Sequence, residues 1–146
     1  MTDRAAPAGT SSTNDEAIDR EVVVAAPPEV VWQFWTDPTR LVRWMGSEAT
    51  LDPRPGGEIV IRYGNGAAMR GEVVELDEPR RLVFTWGWED PTEIVRPGAS
   101  RVEVTLDAVD EGTRVHVRHL GLPTAERAGH VEGWDYFLGR LLEAAA

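Results

Sequence analysis

TAERAGHVEGWDYFLGRLLEAA, Thr124 to Ala145, is the segment from which the architecture can be read. His130, Trp134, Phe137, Leu138, Leu141 and Leu142 recur at steps of three and four, which places them on one stripe of an α-helix. Thr124 is expected as its N-cap, Glu126 sits in the first turn where the helix dipole favours a carboxylate, and Pro123 separates the segment from what precedes it. A helix of this length with one apolar face needs a broad surface to lie on, and most of the preceding sequence reads as strands that supply one. Its first half departs from simple core packing: a His, a Trp and the glycines Gly129 and Gly133, with Gly139 further on, leave room on the helix and point to a cavity.

Working outward, the 146 residues fit one domain, large enough to bury roughly two-thirds of the unfolded surface without cross-links. Cysteine is absent, which excludes disulfides, thiolate metal sites and thiol nucleophiles. No apolar run approaches the roughly 20 residues of a membrane span, and the amino terminus lacks the pattern of a signal peptide, so a cytoplasmic protein without membrane insertion is expected. The formal net charge of −10 repels phosphate backbones and makes nucleic acid an unsuitable partner. All basic residues other than the histidines are Arg, which reads as coding composition. Six Trp in a short chain are the anomaly, since large rings with one polar atom suit places where apolar walls meet a ligand.

Residues 1–16 are small, polar and aperiodic and read as a disordered leader, leaving 17–146 as the single domain. A Val-rich strand is expected at Ile18 to Ala25, stopped by Pro27 and Pro28. Two short helices follow, Pro28 to Trp35 and a second capped by Asp37 with Pro38 at its first position, running to Trp44. The period then changes to two. Strands are expected at Glu48 to Leu51, Glu58 to Tyr63, Ala68 to Leu76, Arg81 to Trp88, Ser100 to Val109 and Thr113 to Leu120, with Gly64-Asn65-Gly66 as a hairpin turn. Alternation puts Ile59, Ile61 and Tyr63 on one face, with Leu82, Phe84, Trp86 and Trp88, then Val102, Val104 and Leu106, then Val115, Val117 and His119. Arg101, Glu103, Arg114, His116 and Arg118 fall on the wet face, while the strand ending at Leu76 carries Val on both faces and stays unassigned.

The segment PPEVVWQFWTDPTRLVRWMG, the Gly56-Gly57 pair after Arg54-Pro55, the run GEVVELDEPRRLVFTWGW and the carboxy-terminal segment together resemble the AHSA1-like branch of the START, polyketide cyclase and Bet v 1 (SRPBCC) superfamily. The resemblance covers Ile18 to Ala145. It implies an α+β helix-grip fold: a curved seven-stranded antiparallel sheet around a long carboxy-terminal helix, two short helices after the first strand, and an apolar cavity between them. It also implies a spread of functions, from ligand carriers to aromatase, cyclase and hydratase-like proteins to a domain that stimulates the Hsp90 ATPase, so the site has to discriminate.

Within that fold Trp44 and Met45 are expected at the cavity mouth, and Ile61, Tyr63, Phe84, Trp86, His119, His130 and Trp134 as its ligand-binding wall. Each aromatic alone is more simply a core residue; as a set they favour a pocket, because Trp and His inside a protein need polar partners. His116 and His119 point to opposite faces of a strand, and His130 has no ligand set at helical spacing, so no metal or other cofactor is expected. Glu126 reads as a salt-linked surface partner of His130. His119, His130 and Tyr63 are the weak candidates for moving protons. Nucleophilic catalysis has no support, since no G-x-S-x-G elbow occurs and Ser11, Ser12, Ser47 and Ser100 fall in leader or loop positions. The leading expectation is a protein that binds a small hydrophobic or aromatic molecule. A cyclase, aromatase or dehydratase in the same cavity is the first alternative and an Hsp90-directed interaction module the second. A monomer or homodimer is compatible, with Trp32 or Trp35 as exposed rings that would permit pairing.

Overall fold

The computed structural model describes residues 17–146; the leader expected over 1–16 lies outside the described residues. The order is β1 (Ile18–Val24), α1 (Pro28–Thr36), α2 (Pro38–Leu41), β2 (Glu48–Leu51), β3 (Glu58–Arg62), β4 (Ala68–Asp77), β5 (Arg81–Trp86), β6 (Ser100–Val109), β7 (Gly112–Leu120) and α3 (Thr124–Ala145). All seven strands pair antiparallel in one sheet of order β1-β7-β6-β5-β4-β3-β2. β2 to β7 form a meander whose longest connection is the segment 87–99 between β5 and β6, while β1 and β2, consecutive in sequence, lie at opposite edges. α1 and α2 carry the chain between those edges. This is the helix-grip arrangement, with α3 held against the inner face.

Proline and aspartate set the helical break. Asp37 ends α1 and caps α2, its carboxylate accepting from the Thr39 N–H at 3.0 Å and from Thr39 Oγ1 at 2.8 Å. α2 stops at Leu41, three residues short of the Trp44 that periodicity reaches, and the chain continues in turns. Trp32 and Trp35, expected as exposed rings, are 4% and 2% exposed. They are core residues: Trp35 stacks on Trp134 at 6.3 Å and meets Trp44 edge-on at 4.7 Å, so neither offers a dimer surface. Thr124 is the first helical residue of α3 and not its cap; Pro123 holds that position and offers no side-chain acceptor.

The alternating faces fall as the pattern requires. Ile59 and Ile61, Leu82, Phe84 and Trp86, Val102, Val104 and Leu106, and Val115, Val117 and His119 are buried on the inner face. On the outer face Asp19 pairs with His116 and Arg118, Glu103 with Arg101 and Arg118, and Glu75 with Arg81. The two-faced Val pattern of β4 has a local cause: the register with β5 shifts between Val73 and Glu75, a bulge that keeps Val73 fully buried and turns Val74 out to solvent. β5 ends at Trp86, and at the next residue, Gly87, the Arg96 carbonyl packs so closely that an added Cβ would lie 2.0 Å from that oxygen. Trp88 re-enters the sheet as an isolated bridge to Met69. Gly71 marks a second close approach, since its Cβ would fall 1.8 Å from the Thr85 carbonyl oxygen.

α3 grips unevenly. Its buried residues, Trp134, Leu138, Leu141 and Ala145, run from the middle of the helix to its end, where they close the core. Before Trp134 the helix carries no fully buried side chain, which leaves space beside the sheet.

Candidate functional site

A cavity of about 620 Å³ lies between the first half of α3, the inner ends of β4 and β5 and the β3–β4 hairpin. Small-molecule sites fall in the range of roughly 300–1,000 Å³. Its floor is made by buried Met45, Ala68, Trp86 and Trp134; Tyr63, Trp88, His130 and Phe137 form half-buried walls. Gly129 and Gly133 complete the helix side, and a Cβ on either would meet nothing within 4 Å. Two of the three helix glycines therefore face this space, while Gly139 lies on the exposed back of α3. The rings contact one another in a continuous set: Trp86 with Trp134 at 5.5 Å and Trp88 at 5.6 Å, and Tyr63 with Trp88 at 5.9 Å and Phe137 at 5.7 Å.

Behind the wall runs a fully paired polar chain. The Trp134 indole N–H donates to His119 Nδ1 at 3.0 Å, which makes that nitrogen an acceptor and leaves the proton on Nε2. His119 Nε2 then donates to Ser100 Oγ at 2.9 Å, and the Ser100 hydroxyl donates to the Trp86 carbonyl at 2.8 Å. His119 is completely buried, and desolvation, aided by the neighbouring His130, pushes its pKa down to about 3. It is a neutral structural imidazole at physiological pH. His130, 5.5 Å away between ring centroids, is held differently: Nδ1 donates to the Glu126 backbone carbonyl at 2.7 Å and Nε2 accepts from the Trp88 indole at 3.2 Å. The link expected from Glu126 to His130 thus uses the main-chain oxygen and not the carboxylate, because Nδ1 of a helical His faces the carbonyl one turn back.

Two wall donors remain without a protein partner, the Trp86 indole N–H and the Tyr63 hydroxyl. Burial raises the Tyr63 pKa, so that hydroxyl stays protonated and keeps its donor character.

The nine residues expected at the site separate into two groups. Met45, Tyr63, Trp86, His130 and Trp134 line the cavity together. Trp44, Ile61, Phe84 and His119 are buried behind it. Trp44 in particular is fixed by its indole N–H donating to the Phe34 carbonyl at 2.7 Å. Sequence reasoning passed over Trp88, Phe137 and Ser100. Trp88 shared the inward face with Trp86, and Phe137 shared the helix stripe. Ser100 shares parity with Val102 and Val104 and opens β6 inside the core instead of lying in a loop.

The sequence pattern of the family described as Activator of Hsp90 ATPase homolog 1-like protein, AHSA1, matches residues 25–146. The chain belongs to the AHSA1 family. The AHSA1-like protein RHE_CH02687 from Rhizobium etli is 43% identical with a TM-score of 0.68, over 89% of this chain and 82% of that one. DynU16, a protein of the dynemicin biosynthetic locus, is 30% identical with a TM-score of 0.77, over 88% of this chain and 46% of that one. Protein C1711.08 of Schizosaccharomyces pombe is 26% identical over 131 residues, which are 86% of this AHSA1 chain. The chain spans only 36% of that curated relative's length. Among the described residues no three His, Asp or Glu side chains gather as a metal site requires, and no helix is long and apolar enough to cross a membrane.

Proposed function

We propose that this AHSA1-family protein binds a small hydrophobic or aromatic molecule in the cavity between the sheet and the first half of α3. The observation that carries the reading is the continuous aromatic wall around a space of ligand size, kept clear by Gly129 and Gly133. Gly in a helix interior costs about 1 kcal/mol relative to Ala, and at two positions with open space beside them that cost has no packing reason. Similarity to DynU16, which belongs to a biosynthetic locus, accords with a small-molecule role. The cyclase, aromatase or dehydratase alternative uses the same cavity and rests on His130 and Tyr63, which line it, whereas His119 is fully buried behind the wall. An Hsp90-directed role draws on the family description alone.

The test is calorimetric titration of a naphthyl methyl ketone into the protein and into Gly133→Leu. The native protein should bind it in the micromolar range with a negative heat-capacity change from apolar burial. Gly133→Leu, whose side chain enters the cavity, should keep its circular dichroism and lose binding. Undiminished affinity in a folded Gly133→Leu would place the ligand elsewhere and defeat the reading.

A further inference from the structure

Resting on that cavity reading, we propose that the site selects an aromatic carbonyl compound with a protonated amine at its far end, and turns away the matching carboxylate. The two ends of the cavity differ in chemistry. At the floor and inner wall, the Trp86 N–H and the Tyr63 O–H are buried donors with no protein partner, whereas the Trp88 and Trp134 indoles are spent on His130 and His119. A ligand carbonyl supplies the acceptor that an unpaired buried donor otherwise lacks.

At the mouth the chemistry reverses. Asp90, Glu93 and Glu126 belong to the lining, no Arg does, and the chain contains no Lys. Asp90 is the least available of the three. Its carboxylate accepts from the Thr92 N–H at 2.9 Å and Thr92 Oγ1 at 2.8 Å, and Arg96 lies close enough to draw its pKa further down. Arg96 itself is committed to the carbonyls of Trp88, Glu89 and Asp90. Glu93 and Glu126 make no ion pair among the described residues, so their charge is left to act on whatever occupies the opening. The faces of Tyr63 and Trp88 next to it favour a cation by the same sign of field. A net charge of −10 on the whole chain adds to the bias against anions.

The experiment uses three naphthyl methyl ketones whose far end carries a methyl, an aminomethyl or a carboxylate group, titrated into the native protein at low and high salt. The ammonium compound should bind at least about tenfold tighter than the carboxylate at low salt, with the ratio shrinking as salt screens the mouth. In Glu93→Gln/Glu126→Gln that ratio should fall to within about twofold. Replacing the ketone by the isosteric isopropenyl group should weaken binding to the native protein, and this ketone preference should shrink in Tyr63→Phe. Equal or tighter binding of the carboxylate overturns the charge assignment, as does a preference that survives the double variant. Absence of any ketone preference overturns the orientation. If none of the three compounds binds, the cavity reading itself fails and takes this proposal with it.

Discussion

Acidification from pH 7 to pH 5 should remove about 2 kcal/mol of folding stability through His119 alone. The folded ring resists protonation, its pKa pushed down to about 3, while the unfolded ring takes a proton at its ordinary value of 6.5. Between those values the unfolded state binds more protons, so stability rises with pH. The contribution is fully present above about pH 6.5, is lost as pH falls, and levels off near pH 3. Between pH 7 and 5 the unfolded state gains RT ln of about 25, or about 1.9 kcal/mol; a folded pKa anywhere below about 4 gives nearly the same figure. The structural warrant is the closed chain from Trp134 through His119 and Ser100 to the Trp86 carbonyl, which leaves neither ring nitrogen free for an extra proton. Urea unfolding followed by Trp fluorescence at pH 7, 6 and 5 checks it against His119→Gln, whose amide can donate to Ser100 and accept from Trp134 but cannot titrate. The native protein should lose about 2 kcal/mol more than the variant over that range. Parallel pH profiles would refute the reasoning. So would NMR detection of a proton on Nδ1 of His119 or of ring protonation at pH 5.

Gly133→Ala and Gly139→Ala should each stabilise the protein by up to about 1 kcal/mol, since neither new Cβ meets an atom within 4 Å. In the same pair of variants only Gly133→Ala should weaken ligand binding, a contrast that thermal unfolding and calorimetry read together. Trp44→Phe should cost about 2–4 kcal/mol in urea unfolding, because it leaves the Phe34 carbonyl unpaired and a void beside Trp35. Its ligand affinity should stay within about twofold of native, as Trp44 lies behind the cavity wall; a larger loss would contradict that placement.

Much of the fold was legible because its signals are local. A stripe at steps of three and four marked α3, alternation at period two marked the strands and their buried faces, and Asp37-Pro38 marked the break between α1 and α2. Local signals failed where a distant segment intervened. β5 stopped short at Trp86, beside the Gly87 on which the Arg96 carbonyl packs, the bulge after Val73 reversed the faces of β4, and the core took in Trp32 and Trp35.

The site divides along the same line. The sequence by itself determined that aromatic rings, histidines and helix glycines would converge between sheet and helix, since parity and helical phase dictate which face each side chain takes. Only the tertiary structure decided which of those groups are spent and which are free. His119 is tied to Ser100 on the neighbouring strand and to Trp134 on α3, His130 to a carbonyl one turn back, and Trp44 to the end of α1. Tyr63 and Trp86 are left holding unpaired donors over an acidic mouth. The physical reason is that a hydrogen bond requires two atoms within about 3 Å, and that distance between residues far apart in the chain is fixed by strand register and helix placement, which no local pattern encodes.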